Sequence, residues 1–304
     1  MSLLFNLFAD NILPLIIVVG VGFVLQRTLR IDPRPLSRVI FYAFTPALVF
    51  TILASSTINT NEILHMAGFT ILVSTCVGIL SWFFSRSLQL KPHIASAFIL
   101  ASTLMNAGNY GLSVNSFALG EAGLTWTSIY FVTSALLINS AGVYVATVGR
   151  TSPGKALLRL LKVPSLYAIP LALLVQVNGV SLPIAIWRPI DLLGSAAVPS
   201  MLILLGMQIA RVGLPKRGKL VILTAGLKLL VAPLIAWLIA SFMGMSGVSR
   251  QAGILQSAMP TAVTTIVLAT EFDVEPEFVT AAVFITTLIS PLTITPILAI
   301  LGVV

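Results

Sequence analysis

The chain has 304 residues, 58% of them hydrophobic and only 9% charged, with a mean hydropathy of +1.06. Soluble globular domains carry about 25% charged residues, so this composition cannot furnish a polar coat and places the chain in a membrane. The net charge of +8 does not mark a nucleic-acid binder, because the bases sit in short loops between apolar runs and form no patch with interleaved aromatics.

A span needs about 20 mostly apolar residues to cross some 30 Å of hydrocarbon. At that length the chain reads as ten spans, near residues 5–27, 36–55, 64–86, 93–119, 124–148, 164–180, 187–210, 219–243, 250–271 and 278–302. No base precedes the first apolar stretch, so it lacks the n-region of a signal peptide and is expected to be the first span. Cys76, the single cysteine, lies in the third span, excludes an intrachain disulfide and reads as packing. The fourth span is interrupted at Met105-Asn106-Ala107-Gly108-Asn109-Tyr110-Gly111 and the ninth at Ala258-Met259-Pro260-Thr261, about 153 positions later. Connections are short and free of low-complexity tracts, so residues 1–304 are expected to form one membrane domain.

The halves resemble each other at offsets of 153 to 156. Asn11–Leu15 falls against Tyr167–Leu171, Pro46-Ala47-Leu48 against Pro199-Ser200-Met201, Trp82 against Trp237, and Phe131–Ser134 against Phe284–Thr287. Four matches in order indicate a duplication, with residues 1–150 as the first five-span repeat and 151–304 as the second. Five is odd, so the second repeat is expected to run upside down. The expected fold is an all-α integral membrane protein of ten helices in a 5+5 inverted repeat, with spans four and nine discontinuous.

Fourteen bases surround the odd-numbered loops: Arg27, Arg30, Arg34, Arg38, Arg86, Lys91, Arg150, Lys155, Arg159, Lys162, Arg211, Lys216, Arg217 and Lys219. Only Arg188 and Arg250 adjoin the others. By the positive-inside rule the odd loops face the cytoplasm and both termini lie outside.

Asn106 lies 13 residues into its span, roughly 20 Å deep at 1.5 Å per residue, and Pro260 lies 10 residues into its own. Broken backbone at that depth is tolerated only when buried in protein or facing a watery cavity. Each following half-helix opens with free N–H groups and a positive dipole end, suited to an anion. Asn106, Asn109, Thr261 and Thr264 add side-chain donors and acceptors. The structural alternative is that Gly108 and Gly111 are packing contacts and Pro260 a tolerated kink. Lys228, nine residues into the eighth span, either snorkels to the interface or supplies a counter-charge to the substrate or a nearby acid. Asp10, Glu62, Glu121 and Asp191 are expected to be solvated near span ends, as is Glu271.

Asn106-x-Gly108-x-x-Gly111 and Met259-Pro260, the latter followed by Leu268–Val274, resemble the two crossover segments of the auxin efflux carrier family. Tyr42–Phe50, Lys228–Leu234 and Asn139 resemble its other marks. The resemblance covers essentially the whole chain. It implies the inverted-repeat fold shared with bile-acid and sodium symporters, a crossing of spans four and nine between a scaffold and a panel domain, and alternating access. It also implies an organic anion, a mono- or dicarboxylate such as malate or malonate, and does not imply auxin. The motif and the break residues together give Asn106, Ala107, Gly108, Asn109, Gly111, Met259, Pro260, Thr261 and Thr264 as the expected substrate and crossover residues, supported by Thr45, Pro46, Asn139 and Lys228. Two features depart from the family pattern: Ser113 stands where members often carry proline, and the long central hydrophilic loop of many plant members is missing, which suits a compact prokaryotic permease of the inner membrane.

No HExxH, P-loop or GxGD motif occurs, and the midplane polar residues lack a partnering His or Asp, so neither catalytic nor metal-binding residues are expected. No cofactor is expected. Coupling to H+ or Na+ and a homodimer stay open, as do a sodium-coupled bile-acid-like symporter and a channel or transport-inactive sensor of the same fold.

Overall fold

A computed structural model describes residues 2–56, 58–147, 164–211 and 218–303. The expected loop bases Arg150, Lys155, Arg159, Lys162, Lys216 and Arg217, and Val304, lie outside the described residues. The described chain is helical, with no β-strand among those residues beyond one isolated bridge between Met105 and Thr261. In order the helices are α1 (Leu4–Leu29), α2 (Pro33–Ser55), α3 (Thr60–Ser87), α4 (Pro92–Thr103), α5 (Ala107–Ala146), α6 (Ser165–Val177), α7 (Ile184–Ile209), α8 (Gly218–Phe242), α9 (Gly247–Ser257), α10 (Thr264–Glu271) and α11 (Pro276–Ile300). Seven of them, α1, α2, α3, α5, α7, α8 and α11, are long and apolar enough to cross a membrane. Their outward faces carry bare apolar side chains such as Leu192, Leu238 and Phe242, as expected of an integral membrane protein whose solvent is lipid.

Helix α5 holds what the sequence reads as the end of one span and the whole of the next. It turns at Gly120, whose φ of 62° and ψ of −155° lie in a region open essentially to glycine alone. The expected loop at 120–123 is therefore a single-residue bend.

Three helices widen into π turns two residues ahead of a proline: Phe8–Ile12 before Pro14, Ile40–Phe44 before Pro46 and Leu227–Val231 before Pro233. Proline has no N–H and its ring crowds the carbonyl four residues back, so the ladder there is re-spaced. Two further π turns, Ala107–Leu112 and Ile138–Gly142, have no such proline.

The helices pack as two groups. In one, α1 lies on α7 and α2 lies on α6 and α7. The α1–α7 contact is close enough that a Cβ on Gly22 would overlap the Ile203 carbonyl and one on Gly206 the Val19 carbonyl, the small-residue packing common between membrane helices. In the other group α3 lies on α4, α5 and α8, while α11 lies on α4, α8 and α10. α5 also touches α2 and α7 and so joins the groups.

Helix ends account for several polar residues. Glu62 is not merely solvated: it closes a capping box with Asn59 at the start of α3, N–H to carboxylate 2.9 Å and N–H to amide oxygen 3.0 Å. Cys76 is exposed on α3, so it faces outward and does not pack the interior. Trp82 and Trp237, matched between the halves, each carry an arginine over the ring, Arg86 at 5.6 Å and Arg250 at 4.5 Å.

Candidate functional site

The interruptions expected in the fourth and ninth spans are both present, and they meet. α4 has 12 residues and α9 has 11, about 18 and 16 Å of helix, roughly half a bilayer core. Beyond them the chain is extended at Leu104 and Met105, turns at Asn106, where Ala107 N–H donates to Met105 O, and is irregular over Ala258–Val263. The breaks pair antiparallel: Asn106 N–H donates to Pro260 O (2.8 Å) and Ala262 N–H to Leu104 O (3.0 Å). Each break thereby satisfies backbone groups that a membrane would otherwise strand. Pro260, with no N–H, contributes its carbonyl. Ser113 hydrogen-bonds the Asn109 carbonyl inside α5, so the first break forms without a proline.

Side chains brace the pairing. Gln256 Nε2 donates to Ala107 O (3.1 Å), Thr261 Oγ1 to Ala101 O (2.8 Å), and Thr261 N–H to Thr286 Oγ1 (3.1 Å). Tyr130 OH lies 3.0 Å from Ser257 Oγ and 2.7 Å from Met105 Sδ, and Ser290 donates to Tyr110 OH (3.2 Å). A Cβ on Gly111 would strike the Gln256 side chain, and one on Gly108 would come within 2.8 Å of the Phe131 ring; both glycines are there for close approach.

Beside the breaks lies a cavity of about 140 Å³ between the two helix groups. Thr45 and Ser37 of α2 and Gln208 of α7 line one wall; Asn106, Ala107, Gly108, Asn109, Ser134, Asn139 and Thr264 line the other. Among the described residues no charged side chain lines it. Three lining residues hold buried polar atoms that have no hydrogen-bond partner, namely Asn106 Nδ2, Ser134 Oγ and Gln208 Oε1. Buried polar atoms are normally hydrogen-bonded, so these three are available to a molecule in the cavity. Asn106 is 5% exposed. Gly108 and Asn109, in the first turn of α5, have no intrahelical acceptor for their N–H groups. At the second break Thr261, Ala262, Thr265 and Ile266 donate their N–H groups within the protein, and Val263 and Thr264, in the corresponding position to Gly108 and Asn109, line the same cavity.

Of the residues marked from sequence, Thr45, Asn106, Ala107, Gly108, Asn109, Asn139 and Thr264 meet at the cavity. Gly111, Met259, Pro260 and Thr261 build the paired breaks, and Pro46 follows the π turn that sets Thr45. Lys228 belongs to neither. It is wholly buried, so it does not snorkel, and its Nζ lies 3.5 Å from Thr103 O behind the break. Ser134 and Gln208 were not singled out from sequence, although each is a polar residue inside an apolar span.

A second cavity, of about 640 Å³, lies further along α2 and α5, lined by Thr51, Glu62, Glu121, Thr125 and Asp191. An apolar cluster that includes Leu48, Leu112, Leu124, Phe131 and Met201 supplies walls to both cavities and fills the space between.

Paired helix breaks beside a polar cavity in an apolar bundle are the architecture of a membrane transport protein, not of an enzyme. The profile of the family described as membrane transport protein, the auxin efflux carrier family, matches residues 7–149 and 147–298, and the chain belongs to that family. It is 25% identical over 286 residues to an uncharacterized transporter of Methanothermobacter thermautotrophicus, covering 92% of this chain and 94% of the relative. It is likewise 25% identical to an uncharacterized transporter of Methanocaldococcus jannaschii, over 85% of this chain and 86% of that one. A Rhizobium meliloti protein named "Putative malonate transporter" is 25% identical over 92% of each chain.

Proposed function

We propose that the protein is a secondary carrier moving a small organic anion, a mono- or dicarboxylate, by alternating access around the paired breaks. The observation that carries this reading is the buried, unpartnered Asn106 Nδ2 at the mouth of a half-helix N-terminus, with the Ser134 hydroxyl beside it. Neutral donors and a positive dipole end bind an anion without a buried fixed charge. The cavity, of about 140 Å³, is far above the roughly 10–15 Å³ that a single water needs and so has room for a small acid. The name of the Rhizobium meliloti relative makes malonate the first substrate to try.

Two cavities on opposite sides of one apolar layer support alternating access. The first reaches Ser37 and Gln208, next to the base-rich first and seventh loops; the second reaches Glu62, Glu121 and Asp191 at loops on the other side. By the base count the first side is cytoplasmic. Element positions support a ten-span inverted repeat related to the bile-acid and sodium symporter fold. α4 and α9 start at Pro92 and Gly247, 155 apart, and the part of α5 after Gly120 and α11 start at Glu121 and Pro276, again 155 apart. The family match divides at residues 147–149, beside the expected repeat boundary. Counterflow in proteoliposomes tests the reading: labelled malonate or a related acid should exchange against unlabelled acid, and exchange should weaken in Asn106→Ala. Net leak without exchange would mean a channel, and neither flux nor binding of any acid would mean a sensor for something else.

A further inference from the structure

The C-terminal end of α4 lies at half depth, where a half-helix presents carbonyls and the negative end of its dipole. Broken helices in carriers use such ends to hold coupling cations. Here the carbonyls are occupied by the protein itself. Ala101 O accepts the Thr261 hydroxyl at 2.8 Å, Leu104 O accepts Ala262 N–H at 3.0 Å, and Thr103 O faces Lys228 Nζ at 3.5 Å. Lys228 is 0% exposed and sits in the π turn of α8, Leu227–Val231, which packs on α3, α4 and α11. The ion pairs found among the described residues, His93–Glu275 and Arg211–Asp32, do not involve it. Two buried hydroxyls at the same helix end, Ser102 Oγ and Thr103 Oγ1, have no partner. An ammonium buried without a carboxylate is costly, and a carbonyl at a helix C-terminus is the partner that offsets part of that cost.

We propose that Lys228 is a tethered cation: its ammonium takes the place of a coupling metal ion at the end of α4, and the carrier assembles its paired breaks without sodium. The inference rests on reading the breaks as the crossing point of a carrier. It assigns Lys228 a positioning role, acting on the α4 end and through it on Leu104–Asn106, and no contact with the anion.

Thermal unfolding of the full-length protein in detergent, without any acid present, tests it. Sodium chloride is exchanged for choline chloride at constant ionic strength. The wild type should unfold at the same temperature in both salts, and malonate counterflow should run equally well in sodium-free buffer. Lys228→Ala should unfold lower and recover by about 2–4 °C when sodium or methylammonium is supplied. Lys228→Met, which fills the space without charge, should unfold lower and recover nothing. Sodium stabilising the wild type, or a requirement for sodium in counterflow, overturns the proposal with no variant needed. A Lys228→Ala protein indifferent to both cations, or a Lys228→Met protein as stable as the wild type, overturns it too. These stabilities are read without the anion, so such a failure leaves the anion site standing, whereas loss of the anion site would show in Asn106→Ala exchange and leave the sodium comparison intact.

Discussion

Asn106 is positioned by its backbone and left free in its side chain. Its N–H is committed to Pro260 and its carbonyl to Gly111 N–H, while its Nδ2 meets the cavity unpaired. Asn106→Ala should therefore keep the paired breaks and lose one ligand hydrogen bond. A neutral hydrogen bond is worth about 0.5–1.5 kcal/mol net, so acid affinity should fall by several-fold to about tenfold. Equilibrium binding to the purified variant measures this, and unchanged affinity would remove Asn106 from the site. Gly111→Ala is different in kind, because its Cβ meets the Gln256 side chain that donates to Ala107 O. It should lower the unfolding temperature and binding together. The polar residues at the breaks were legible in sequence because Asn and Gly are conspicuous in an apolar run. Tyr130, Gln256 and Thr286 were not, since bracing partners lie 25 to 149 positions away along the chain and nothing local announces them. Lys228 was conspicuous for its depth, but its partner, a backbone carbonyl, has no sequence signature.

At the scale of elements, both helix breaks were foreseeable and the π turns were not. A proline in a helix is ambiguous in sequence: Pro260 sits in a true interruption, whereas Pro46 and Pro233 sit in continuous helices whose ladders widen two residues earlier. What separates them is tertiary. The Pro260 carbonyl has a partner waiting in Asn106 N–H, and without that pairing an open break at half depth would strand donors in hydrocarbon. Pro260→Ala restores an N–H that favours helix across 258–263 and competes with the pairing. Uptake should fall while expression and folding persist, and combined with Asn106→Ala it should abolish transport. A double variant that transports normally would show the breaks to be packing features alone. The apolar layer between the cavities makes a separate prediction. Leu48 is 5% exposed and belongs to that layer, and a hydroxyl there invites water across a constriction that apolar side chains keep dry. Leu48→Ser should raise passive acid efflux from loaded proteoliposomes in the absence of counter-substrate; efflux no faster than in the wild type would place the barrier elsewhere.

For the molecule as a whole, the sense in which the chain lies in the membrane decides which cavity faces which compartment. Seven long helices alone leave this undecided, because α4, α6, α9 and α10 are too short to be counted as spans by length. The paired breaks supply the missing piece. If α4 with the first part of α5, and α9 with α10, each make one crossing in two pieces, and α6 makes another, then the part of α5 after Gly120 completes ten. An even count puts both termini on one side, and the 14-to-2 distribution of loop bases puts that side outside. Single cysteines report on this directly, provided the native Cys76, exposed on α3, is first replaced by serine. Lys91→Cys, between α3 and α4, should react with a membrane-impermeant maleimide only after the cells are opened. Asn178→Cys, beyond the end of α6, should react on intact cells, as should a cysteine appended after Val304. The pair 91 and 178 is discriminating because three crossings, by the broken α4–α5 unit, the helix after Gly120 and α6, put them on opposite sides, whereas loss of any one of the three puts them on the same side. Labelling of both positions from the same side would mean that one of these segments does not cross, and the ten-span inverted repeat, with its crossing of two broken spans, would fail.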